Sequence, residues 1–344
     1  MVTYTAGQNA ARRRRHRQRR LRLKVVLLAL AVIAFACTLM IGRSIVPPGD
    51  VLSVILGENV AGASFTVGQL RLPRAILAML AGASFGMAGA AFQVMLRNPL
   101  ASPDIIGISS GASAAAVFAI VILGLDGIAV SLLAVIFGLG TALLVYGLSS
   151  RQGVAGPRLI LVGIAVSAML ESIVAYVLAR APSWNLQEAL RWLTGSLNGA
   201  TLEQSLPILV ALVLLGGLLA CCGRNLETLR LGDDAASALG VPVAATRILV
   251  IVGAVGLISI TSAVTGPIAF VAFLAGPIAH RISGATGSPL VPAALVGALL
   301  VLVGDFVGQV LLPNRYPVGV VTGALGAPYL IYLIVRTNRK GGAV

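Results

Sequence analysis

Residues 107–111 read GISSG, a match to G-x-S-x-G, the pattern that exposes a serine nucleophile on a sharp strand-to-helix turn in hydrolases. Such a serine needs a strand before the turn and a histidine partner. Neither is legible here. Pro99 disfavours helix at Asn98, so a helix ends near Arg97. Ser102-Pro103-Asp104 then supplies a capping hydroxyl, a first-turn proline and an acid at the start of the next one. GISSG falls inside that second helix, with no strand pattern ahead of it. The two histidines are His16, in a basic tail, and His280, far along the chain. Ser109 therefore does not read as a nucleophile. Gly107 and Gly111 have the spacing that lets one helix pack closely on another in lipid.

Other charged residues sit where charge is costly or directional. Glu171 and Asp305 lie within apolar runs, where a charge costs about 2.5–3.5 kcal/mol at the bilayer centre. They must face the bundle interior or water. Three readings are open: lining of a substrate path, a structural pair with an interior hydroxyl or backbone group, or a proton relay in a secondary transporter. The segment LRLPR (70–74) places Arg71 and Arg74 at the start of another apolar run, and PNRYP (313–317) adds Arg315. These arginines are either snorkelling anchors or donors to carboxylates of a partner. In the segment 224–247, Asp233 and Asp234 open a short helical pattern, Leu239 offers an apolar knob and Gly240 can stop the helix. That helix either lies on the inner leaflet or docks a cytoplasmic motor subunit. Cys37, Cys221 and Cys222 lack metal-ligand spacing, and no metal site is expected.

The elements that must position these residues are membrane helices. The 344 residues are 58% hydrophobic and 10% charged, with mean hydropathy +0.99, against about 25% charged in soluble domains. Apolar runs long enough to cross a bilayer, about 17–25 residues, fall near 23–43, 69–96, 103–123, 126–149, 158–180, 204–222, 243–264, 267–283, 290–312 and 317–336. The eighth is short and interrupted by Gly276-Pro277. Ten spans place both termini on one side. The net charge of +14 is concentrated in the stretch Arg12–Lys24, directly before the first span. That is the positive-inside pattern for a cytoplasmic N-terminus, and it suits contact with anionic lipid. Nucleic-acid binding is excluded for want of a folded basic module. With ten spans, only Arg43, Arg71, Arg74, Arg180, Arg191 and Arg315 fall outside, and every other lysine and arginine falls inside. The organisation is a basic tail over 1–22 and a single all-α permease domain over 23–338, with one large cytoplasmic connection over 224–242. The lysines are Lys24 and Lys340, and no G-x-x-x-x-G-K-[ST] is present, so any ATP hydrolysis must occur on another polypeptide.

Taken together, LRLPR (70–74), GAAFQVMLRNPLASPDIIGISSGA (89–112), LGDDAASALGV (231–241), GPIAFVAFLAGPIAHR (266–281) and YPVGVVTGALGAPYLIYLI (316–334) carry a resemblance from about residue 25 onwards. The chain resembles the permease subunits of ATP-binding-cassette importers for ferric siderophores, haem and vitamin B12. The resemblance implies ten helices, a second permease subunit, two cytoplasmic ATPase subunits holding ATP and Mg, and an extracytoplasmic binding protein. It implies no cofactor on this chain and no catalysis by it. Asp233, Asp234, Ala235, Ala236, Ser237, Leu239 and Gly240 would form the helix that meets the ATPase. Arg71, Arg74 and Arg315 would meet acids of the binding protein. Gln93, Asn98 and Pro99 fall on the family pattern. The expected cargo is a ferric siderophore, with vitamin B12 or haem as the alternative, carried across the plasma membrane. One departure stands out: Gly276 occupies a position where the family has proline, Pro277 follows it, and His280 is displaced.

Overall fold

In lipid every backbone polar group must be satisfied within the protein, which leaves helix as the default for an apolar run. The computed structural model describes residues 6–149, 156–284 and 287–341, and the described residues contain helices and no strand. In chain order these are α1 (Ala6–Met40), α2 (Pro48–Ile55), α3 (Leu72–Met95), α4 (Ile108–Val121), α5 (Gly127–Ser149), α6 (Gly156–Ala179) and α7 (Ser183–Leu193). They continue with α8 (Leu202–Cys221), α9 (Gly223–Leu229), α10 (Asp233–Ala238), α11 (Val243–Thr265), α12 (Val271–Ser283), α13 (Leu290–Phe306) and α14 (Val318–Gly341). A π-helical segment, Ser64–Arg71, runs straight into α3, and another, Val307–Leu311, extends α13. Among the described residues, seven helices have the length and apolarity to cross a membrane. Helices α4 and α12 and the apolar part of α14, Val318–Leu333, occupy the three remaining predicted spans. Helices α2 and α7 lie in the connections between the first and second and the fifth and sixth predicted spans, and α9 and α10 lie at the large connection predicted inside.

Three boundaries differ from expectation. The basic tail is not separate from the first span, because α1 is continuous from Ala6 to Met40; arginine and lysine are good helix formers. Residues 1–5 of the tail and Arg151, placed inside by the charge pattern, lie outside the described residues. The third span is not one helix. Pro103–Ile106 forms a 3-10 turn capped by Ser102, Gly107 takes the left-handed conformation at φ 82°, and α4 starts after it. Gly107 and Gly111 thus do not form a packing pair on one helix. The eighth span is interrupted not at Gly276-Pro277, through which α12 runs unbroken, but at residues 266–270, before the helix. Irregular backbone at membrane depth is tolerated only when protein buries it. Here Ser196 N donates to Thr265 O at 2.8 Å, and Gly195 lets the 194–196 backbone press against Pro267.

The bundle is centred on α3. Of its most apolar window 83% is buried, against 11% for α6, so α3 is enclosed by protein while α6 stands at the perimeter. Backbones meet closely along α3 because glycines line it. A Cβ on Gly82 or Gly86 would collide with the backbone of α13 at Gly297 or Ala293, and one on Gly89 with Ala272 of α12. Gly82 and Gly86 are a small-xxx-small pair of the kind that drives helix contact in lipid. A backbone-to-backbone contact of this kind is therefore made by Gly82 and Gly86, whereas Gly107 and Gly111 meet mainly side chains, that of Thr141 among them.

Candidate functional site

Helix α3 is about 36 Å long at 1.5 Å per residue, and the candidate residues gather at its two ends. At its N-terminal end lies a cavity of about 570 Å³, lined among others by Arg43, Arg71, Arg74, Asp305, Gln309 and Arg315. Two of these arginines are engaged inside the protein. Arg71 donates from Nη1 to the carbonyls of Leu39 (2.9 Å) and Met40 (3.1 Å), and from Nη2 to Ser44 O (2.7 Å) and Oγ (3.2 Å). The last carbonyls of α1 have no helical donor and carry the negative end of its dipole; Arg71 satisfies both needs. Gly42 makes room, since a Cβ there would sit 2.5 Å from the guanidinium.

Arg74 forks onto Asp305, with Nε to Oδ2 at 2.6 Å and Nη2 to Oδ1 at 2.7 Å, while Nη1 reaches Asn198 Oδ1 at 2.7 Å. The side chains are 18% and 8% exposed. Asp305 is thus half of a bidentate ion pair, with a partner that neither its path reading nor its structural reading had named. Arg43 and Arg315 are exposed on the same cavity and make no hydrogen bond or ion pair among the described residues. Glu171 takes no part in this pair. It is exposed on α6 and likewise has no such partner among the described residues.

At the other end of α3 stands α10. Gly240, at φ 81°, closes it: Gly240 N donates to Ser237 O (2.9 Å) and Val241 N to Ala236 O (3.0 Å), the left-handed C-terminal stop that glycine allows. Ala236 is buried and anchors the helix, while Asp234, Ala235, Ser237, Leu239 and Gly240 are exposed. Leu239 is 66% exposed, and Leu231, which the motif reading passed over, is 67% exposed. Two large apolar side chains flank a polar helix on one surface. Asp233 differs from the other residues of α10, its carboxylate being taken by Arg97 and Arg247.

The GISSG stretch lies near this end. Ser109 Oγ donates to Asp104 Oδ1 and Ser102 Oγ to Asp104 Oδ2. The serine thus fastens the start of α4 to the preceding turn. His280 lies on α12, and the described contacts of Ser109 include no imidazole. Gly107 and Gly111 both meet Thr141 of α5, so they serve packing, though from two separate elements.

The family model of the FecCD transport family matches residues 29–336. The chain belongs to the FecCD transport family. It is 40% identical over 313 residues to the ferric enterobactin transport system permease protein FepG of Escherichia coli, covering 90% of this chain and 94% of that protein. It is 33% identical over 315 residues to the ferric enterobactin transport system permease protein FepD of the same organism, again covering 90% and 94%. A solved structure described as an inward-facing ABC transporter of metal-chelate type superposes with a TM-score of 0.80 at 29% identity, covering 92% of this chain and 99% of the other. This FecCD chain is a membrane transport permease and not an enzyme.

In this FecCD member a contact from α3 accommodates Gly276-Pro277. Pro277 has no N–H, so the carbonyl of Phe273, one turn back, loses its helical donor. Gln93 of α3 replaces it, donating from Nε2 to Phe273 O at 2.9 Å. The Gln93 amide then lies over residue 276, where any Cβ would collide with its Oε1. Glycine at 276, proline at 277 and glutamine at 93 thus form one device.

Proposed function

We propose that this FecCD permease is a subunit of an ATP-binding-cassette importer carrying a ferric siderophore across the plasma membrane. Its arginine cavity faces outward, and both termini and α10 face the cytoplasm. The observation that carries the reading is the exposed Leu231–Leu239 surface around α10, held at the opposite end of the buried α3 from the cavity. A motor subunit that grips α10 has a rigid rod leading to the far side. The chain has no P-loop, so ATP and Mg belong to two partner ATPases. Both relatives named above are called ferric enterobactin permeases, which supports the cargo class. Two different chains serving one system also support pairing with a second, non-identical permease. Helix α6, the least buried of the seven long apolar helices, fits as the face toward that partner, because the exposed carboxylate of Glu171 is unfavourable against lipid.

An extracytoplasmic binding protein would dock its acidic residues at the cavity. Of the three arginines proposed for this from sequence, Arg315 remains available and Arg43 joins it; Arg71 and Arg74 shape the rim. The proton-relay alternative gains no support, because Asp305 is paired with Arg74 and no described hydrogen bond or ion pair joins it to Glu171. The test is reconstitution with the cognate ATPase and binding protein in proteoliposomes, following radio-iron-labelled ferric enterobactin. Uptake should require ATP and persist when the proton gradient is collapsed. Uptake that follows the proton gradient without ATP would overturn the reading.

A further inference from the structure

Asp233 is the first residue of α10, half-exposed, and its carboxylate is already occupied. Arg247, in the first turns of α11, donates from Nη2 to Oδ2 at 2.8 Å and to Oδ1 at 3.0 Å. Arg97 donates from Nη2 to the same Oδ1 at 3.1 Å. Arg97 is the second residue past α3 and takes the left-handed conformation, φ 52°, which a non-glycine residue adopts only when its surroundings impose it. Its guanidinium lies over Gly232, just before α10. One carboxylate thus joins three elements: the docking helix, the end of the central rod and the start of α11.

A six-residue helix has little stability of its own, and only Ala236 of α10 is buried. A force applied to such a helix is lost unless it is tied to something rigid. We infer that Asp233 is a positioning residue and not an ATPase contact: the Arg97–Asp233–Arg247 clasp makes α10, the end of α3 and the start of α11 move as one body. The inference rests on α10 being the ATPase-docking helix. It divides the segment into an outer face that grips (Leu231, Asp234, Leu239) and an inner charge that transmits. α3 is the element best suited to receive the motion, since the glycine contacts with α12 and α13 lock its length and Arg74–Asp305 closes its far end.

The test uses the full transporter with its ATPase and binding protein and two readouts that need no cargo: ATPase retained on the purified permease, and stimulation of ATP hydrolysis by the binding protein across the membrane. Asp233→Asn should retain the ATPase and lose stimulation by about tenfold, within the usual range of coupling between distant sites. Asp233→Glu should recover much of it. Arg97→Gln, a change in a turn, should give the same loss, and the double variant should be no worse than either single one. Release of the ATPase by Asp233→Asn would overturn the inference, as would stimulation unchanged in both single variants or losses that multiply in the double. Failure of the wild-type permease, or equal retention by Leu239→Asp, would instead remove the docking role of α10 on which the inference rests.

Discussion

The side-chain amide of Gln93 donates to the carbonyl of Phe273, 180 residues away, at 2.9 Å. It supplies the hydrogen bond that Pro277 cannot. Removing this donor leaves a buried carbonyl unsatisfied, so Gln93→Leu should destabilise the permease by about 1–3 kcal/mol. Gly276→Ala should also destabilise, through overlap with Gln93. The two costs should not add, because Gln93→Ala removes the group that the new methyl at position 276 would strike. Thermal unfolding in detergent checks all three.

Arg74 and Asp305 form the one ion pair near the cavity among the described residues. Breaking a largely buried pair from one side leaves an uncompensated charge, so Arg74→Gln or Asp305→Asn should each cost about 3 kcal/mol. The double variant should cost less than their sum. Denaturant or thermal titration of the four proteins gives the coupling directly.

Arginines on the cavity should divide by role. Arg43→Glu or Arg315→Glu should leave stability unchanged and raise the Kd for the binding protein about tenfold, with a salt-dependent loss in association rate. Arg71→Ala should instead lower stability by about 1.5–3 kcal/mol, the usual worth of hydrogen bonds from a charged donor, since it uncaps α1. Binding-protein titration on nanodisc-embedded permease, beside a melting curve, separates the two classes.

Ser109→Ala should be tolerated in transport, losing only its bond to Asp104. Gly111→Val should be poorly tolerated, because the new side chain would enter the space of Thr141, at about 1–3 kcal/mol for overpacking. Uptake normalised to folded permease measures the contrast. Equal activity of the two would contradict the packing role.

Much of the fold was legible because membrane helices are specified locally. Each apolar run has to satisfy its own backbone. The Thr201–Gln204 pair caps α8 reciprocally, Pro48 starts α2, and Gly240 ends α10, all within a few residues of one another. The G-x-S-x-G match failed as chemistry for an equally local reason, since no strand precedes it. Gly82 and Gly86 carried a readable small-residue spacing that Gly107 and Gly111 only imitated, because a left-handed Gly107 breaks the helix between them.

The sequence by itself determined that this chain crosses a membrane about ten times, hydrolyses no ATP through a P-loop, and carries a short helical pattern between its sixth and seventh spans. Tertiary structure alone decided which charges are free. Arg71 finds carbonyls about 30 residues upstream, Arg74 finds Asp305 at a separation of 231, and Arg97 finds Asp233 at 136. Periodicity and capping act over a turn or two of helix, whereas the pairing of two charges depends on how whole helices pack.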